Sequence, residues 1–158
     1  MTDEKKQQYT LRICGANKTG LIVILYDMLS DYVEEAQKES GAPDKEALHA
    51  ALRHARGCIR ELSESLDFRY SPSAELFSLY RYMDRQLAGT ECKESTEPLA
   101  ALPHMIKELR EAAYEVAKQD TSPALMENAQ TVYAGLTYGK NDLNVSFADQ
   151  GHNRGFRV

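Results

Sequence analysis

Apolar side chains recur along this chain with the period of a helix rather than that of a strand. Leu21, Leu25, Met28 and Tyr32 step by four, three and four, so at about 100° per residue they share one face. The spacing predicts a helix that starts behind Thr19 as N-cap and ends at "SGAPD", where Gly41 and Pro43 are breakers and Asp44 caps the next. Leu48, Leu52, Ala55, Ile59, Leu62 and Leu66 carry that second helix. After "YSPSAEL", with Ser73 as cap, Leu76, Tyr80, Met83 and Leu87 mark a third that stops before Gly89. A polar loop, "GTECKESTEP", follows. Pro98 suits the first turn of a fourth helix carried by Leu99, Leu102, Ile106, Leu109, Ala113 and Val116. Pro103 cannot donate to the backbone ladder, so this helix either begins near it or bends there.

Four amphipathic helices with short connections predict an all-α fold, an antiparallel up-down four-helix bundle over residues 19–120. Residues 1–18 are expected to pack on the bundle as an N-terminal segment. Residues 121–158 read as a short fifth helix, marked by Leu125, Ala129, Val132 and Leu136, and an irregular tail rich in Gly and Asn.

The first predicted helix carries more apolar surface than a bundle seam consumes. Ile22, Tyr26, Leu29 and Val33 repeat the same steps about a quarter-turn from the first stripe, and Val23 and Ile24 widen the arc. Phe77, Leu79 and Tyr82 repeat the excess more weakly in the third. A helix apolar on every side must be covered by something else. The cover is either the chain's own ends or a partner helix docked by apolar anchors at helical spacing.

The stretch "GANKTG" tests a different chemistry. Gly15 and Gly20 have the separation of a phosphate-binding loop, but Lys18 and Thr19 precede the second glycine, and Leu21 and Ile22 follow it. Those two side chains can neither neutralise a phosphate nor bind magnesium, which leaves a helix entrance. Length and composition are those of a globular protein of one domain: 158 residues, 42% hydrophobic, 27% charged. The formal net charge of −5 argues against a nucleic-acid surface. The longest apolar run, "LIVILY", is too short to span a membrane, and no signal-peptide pattern is seen at the start, so a cytoplasmic location is expected. Cys14, Cys58 and Cys92 are widely spaced and odd in number, which fits reduced thiols.

Bundles often bind metals through paired Glu-x-x-His motifs, and this chain has one, Glu46 to His49. His49 and His54 do not share a helix face and read as solvated surface, as do Glu34, Glu35, Glu108 and Glu111. No cofactor and no catalytic residue is expected. The alternatives kept open are a metal-binding four-helix-bundle protein and a homodimeric structural bundle.

"LIVILYDMLSDYVEEAQ" resembles the first-helix signature of the flagellar export chaperone FliS family, in which an aliphatic run ends in Leu-Tyr-Asp-Gly. "IRELSESLD", "ELFSLYRYMDRQL" and "MIKELREAAYEV" are similar to that family's later helices in order and spacing, and Tyr9 fits its N-terminal tyrosine. The likeness covers residues 9 to 119. Departures are "GANKTG" at the helix entrance, Met28 in place of Gly after Tyr-Asp, and Ala113 where Trp is common. The resemblance implies a cytoplasmic protein that binds the C-terminal segment of flagellin, keeps it unpolymerised and delivers it to the export apparatus, with an export-gate component as a further partner. Tyr9, Ile22, Tyr26, Leu29, Leu79 and Tyr82 are then the expected client-binding residues. The fifth helix, the tail, or the segment around Tyr9, Leu11 and Ile13 would lie over the exposed stripe until a client displaces it.

Overall fold

Residues 1–39, 45–93 and 97–126 are described by a computed structural model, and over them the chain forms α-helices and no strand. In order these are α1 (Asp3–Cys14), α2 (Lys18–Glu39), α3 (Lys45–Glu64), α4 (Pro72–Lys93) and α5 (Leu102–Gln119), with a single 3-10 turn at Glu97–Leu99. The fold is an all-α bundle. No helix among the described residues is long and apolar enough to cross a membrane.

The helix ends follow local chemistry. At α1, the Thr2 hydroxyl accepts from the Lys5 N–H, and Asp3 and Glu4 occupy the first turn, where carboxylates complement the helix dipole. α2 starts ahead of Thr19: the Asn17 side-chain oxygen accepts the Gly20 N–H at 2.9 Å and acts as the cap. A Cβ on Gly20 would sit 3.0 Å from that oxygen, so glycine lets the cap close. α4 starts at Pro72, whose missing N–H has no helical partner to lose in a first turn. Ser73, expected as the cap, is buried and its hydroxyl donates to the Asp67 carbonyl at 2.6 Å. α4 also runs through Gly89, around which there is open space, because a lone glycine weakens a helix without ending it. Pro98 falls in the 3-10 turn, and α5 begins at Leu102, so Pro103 lies in its first turn and no bend is needed.

Helix α2 is the centre of the packing. It lies against α3, α5 and α1, while α4 packs on α3 and on the 3-10 turn. The direction of its neighbours is fixed by side-chain ties. Asn17, Asp27 and Gln37 of α2 and its cap meet Ser122, Arg110 and Leu99 in that order, so α5 runs antiparallel to α2. Arg12 and Lys5 meet Asp27 and Asp31, so α1 folds back on α2 as well.

One large cluster forms the core, including Tyr26, Leu29, Val33, Leu52, Ile59, Leu62, Met83, Leu87 and Ile106. The stripes read from α3 and α4 are the ones that go inward. In α2 the order is reversed: Tyr26, Leu29 and Val33 are at most 2% exposed, whereas Leu25, Met28 and Tyr32 are only half-buried at the edge of the same cluster. Both stripes have the helical period, and the positions of α3 and α5 on either side decide which one faces the axis.

Of the fifth helix expected behind Pro123, residues 124–126 are non-helical, with Leu125 and Met126 exposed; Ala129, Val132 and Leu136 lie outside the described residues, as does the tail beyond them.

Candidate functional site

The second apolar face of α2 is covered by α1. Tyr9 and Ala16 pack on Ile24 in a small cluster separate from the main core, joined at its edges by Met1, Ile13, Leu21 and Met28. Only Tyr9 and Cys14 of α1 are buried, because "DEKKQQYTLRIC" carries few apolar residues. Polar ties supply the rest of the attachment, and they converge on two carboxylates one turn apart on α2. Asp31 accepts from Lys5 Nζ and from the Tyr9 hydroxyl, each at 2.8 Å. Asp27 accepts from Arg12 of α1 and, at 2.9 Å, from Arg110 Nε of α5. Burial, then the bond to Asp31, pushes the Tyr9 hydroxyl well above the ordinary tyrosine range. Exposed ion pairs of this kind contribute about 0.2–1 kcal/mol each, so α1 is held by a small core and several weak links.

Beside α1 an open cleft of about 370 Å³ separates it from α5, with Val23 and Ile24 as part of its lining. Leu11 and Arg12 contribute from α1, Tyr114 and Ala117 from α5. Tyr114 is 43% exposed, and the cations of Arg110 and Lys118 stand 5.1 and 4.6 Å from its ring centroid. The cleft is therefore apolar at its base with an aromatic, cationic rim. At one end "GANKTG" joins three segments. Asn17 Nδ2 donates to the Asp120 and Ser122 carbonyls, the Thr19 hydroxyl to Asp120 Oδ2 at 2.7 Å, and the Leu125 N–H to the Ala16 carbonyl at 3.0 Å. This stretch is a junction that holds the end of α5 against the start of α2.

The six residues expected to touch a client do not form one surface. Tyr9 is in the covering helix, and its ring faces α2. Tyr26 and Leu29 are 2% and 0% exposed in the main core, with the Tyr26 hydroxyl 2.6 Å from that of Tyr80, so neither offers area to a partner in this conformation. Ile22 and Tyr82 are half-buried against the same core, and Leu79 is exposed on α4. Val23, Ile24, Leu11 and Tyr114 are the side chains that the cleft brings together. In sequence the i, i+4 pair Asp27 and Asp31 marks only a shared acidic face on an otherwise apolar stretch, without naming α1 as what it meets.

The other chemistry read from sequence resolves as follows. His49 is half-buried with Nε2 enclosed and without a protein hydrogen bond, because it borders the buried stripe of Leu48 and Leu52; His54 is exposed, its ring tilted against that of Tyr32 with centroids 5.0 Å apart. Glu35 is half-buried and pairs with the amine of Met1. All three cysteines are free, and burial pushes the Cys58 thiol up to about 11. Among the described residues no group of three His, Cys, Asp or Glu side chains is placed to hold a metal ion.

A family model described as Flagellar protein FliS matches residues 1–120, which takes in every helix from α1 to α5. The chain belongs to the FliS family. FliS proteins are flagellar export chaperones of flagellin, binding proteins rather than enzymes. Among curated proteins no sequence match reaches significance. The FliS match ends where α5 ends, at the Asp120 that the junction holds, so the cleft, its cover and both carboxylates lie inside the family region.

Proposed function

We propose that this chain binds the C-terminal segment of flagellin in the cytoplasm along the α2 face now covered by α1, and passes it to the export apparatus. The observation that carries this reading is the nature of the cover. A nearly polar helix lies on an apolar face through one aromatic ring and ties to Asp27 and Asp31, next to an open cleft. A client helix with apolar anchors at helical spacing would bury more area there than α1 does, and its ordering cost keeps the complex reversible. Val23, Ile24 and the rim at Tyr114 are the proposed contacts. Of the residues expected from sequence, Tyr9 acts through the cover, Tyr26 and Leu29 support the face from behind, and Ile22, Leu79 and Tyr82 extend the surface as the client wraps the bundle. An export-gate component would meet the loaded form.

Ile24→Asp tests this. Ile24 is 6% exposed and belongs to the small cluster under α1, so a charge there spares the main core. Titration with a flagellin C-terminal peptide should show binding weakened by roughly tenfold or more, as expected for an anchor in a desolvated pocket, with helical circular dichroism retained. Unchanged affinity in a folded variant would place the client elsewhere.

A further inference from the structure

A second cleft, of about 650 Å³, runs between α3 and α4 and shares no residue with the one beside α1. Arg53, Arg56 and Arg60 follow one another at steps of three and four on α3, and Arg81 and Arg85 at a step of four on α4. The lining carries one carboxylate, Asp84. Arg56 is answered within the fold, by Asp84 at 2.7 Å and Glu91 at 3.5 Å, and Arg60 reaches Glu61 only at 3.9 Å. Among the described residues no carboxylate lies in ion-pair range of Arg53, Arg81 or Arg85. Gathering guanidinium groups in this way is unfavourable by self-repulsion in the free protein, and it occurs in a chain whose formal net charge is −5.

An independent feature sits in the same cleft. Gly57 is in the middle of α3, where glycine destabilises a helix relative to alanine. Nothing lies within 4 Å of a Cβ built there, so internal packing does not require its absence. What the missing side chain leaves is a bare stretch of helix between the arginines, open to close approach from outside.

We propose that this arginine-walled cleft is a docking site for an acidic amphipathic helix of a partner protein, separate from the flagellin-binding face. The arginines of α3 cover two helical turns, about 10 Å, which matches carboxylates at i, i+3 or i+4, and i+7 on a docked helix. Guanidinium groups pair with carboxylates in a bidentate fork. The bare backbone at Gly57 lets the partner helix seat between the walls. A nucleic acid is the poorer fit, because the negative charge elsewhere on the chain repels an extended polyanion.

The test uses the full chain and a labelled designed helix of about 15 residues with glutamates at that spacing, against a scrambled peptide of the same composition and a single-stranded oligonucleotide. The patterned helix should bind at least roughly tenfold tighter than either control, with affinity falling steeply as salt rises. Arg53→Glu, Arg81→Glu and Arg85→Glu together should weaken it by roughly tenfold or more. Gly57→Ala should weaken it while raising the melting temperature, a pairing that a purely structural glycine does not produce. Binding of the flagellin peptide should be unchanged by Gly57→Ala and by Arg53→Glu alone, both on α3 whereas Leu79 and Tyr82 are on α4, so the two clefts stand or fall separately. Equal binding of the scrambled peptide or oligonucleotide, indifference to the arginine changes, or a dimer that those changes dissociate in sedimentation would each overturn the proposal.

Discussion

If α1 is a displaceable cover, loosening it should strengthen client binding. Tyr9→Ala is the sharpest perturbation, since Tyr9 supplies both the buried ring and one of the two contacts that Asp31 accepts. The ring is 9% exposed, and losing its burial costs about 2 kcal/mol at usual coefficients. The hydroxyl bond to a carboxylate at the edge of solvent adds about 1 kcal/mol. Together these amount to roughly two powers of ten in the open population of α1. A client that needs the open state gains affinity by the same factor until the cover is fully open. The expected outcome is therefore a gain of about tenfold to a hundredfold for a flagellin C-terminal peptide by calorimetry. Tyr9→Phe keeps the ring and loses only the hydroxyl, so about fivefold is expected. Amide exchange should accelerate across α1 in both variants and stay slow in α3. Suppose Tyr9→Ala frees the α1 amides and affinity stays level: α1 then covers nothing the client uses. Weaker binding would instead make Tyr9 a client contact.

The remaining predictions test the core and its titrating groups. Leu29→Ala, at a site with 0% exposure, should cost about 3 kcal/mol in urea denaturation, whereas Leu79→Ala, 37% exposed, should stay within about 0.5 kcal/mol; equal effects would contradict the assignment of the inward stripe. Burial raises the hydroxyls of Tyr9, Tyr26, Tyr32 and Tyr80 above the ordinary tyrosine value. The unfolded chain loses those protons near pH ~10 while the native one keeps them, so stability should hold steady below that point and fall as pH rises through it. Phenolate absorbance from all nine tyrosines near pH 10 in the folded protein would refute this. Cys92 is exposed while Cys14 and Cys58 are buried, so a thiol reagent at neutral pH should modify Cys92 first, with Cys58 slow until unfolding.

Much was legible along the chain because helical period, caps and breakers are local. The stripe of α3 from Leu48 to Leu62 and that of α4 from Tyr80 to Leu87 are the ones buried, and the four helix segments between "LIVILYDM" and "MIKELREAAYEV" carry the family likeness that the match over residues 1–120 bears out. The helix at Asp3–Cys14 left a weaker trace, a Thr cap followed by Asp and Glu, without an apolar stripe to support it. Three features came from tertiary structure alone. Which stripe of α2 points inward depends on α3 and α5 flanking it, since Ile22, Tyr26, Leu29 and Leu21, Leu25, Met28 have the same period. That Asp27 and Asp31 bind α1 depends on the α1 chain folding back. The arginine cleft exists because α3 and α4 pack side by side, each bringing a short basic row that looks like ordinary solvated surface when read alone. Periodicity specifies which faces of a helix are apolar or charged; it carries no information about the neighbour each face meets, because that is set by contacts between residues far apart in the chain.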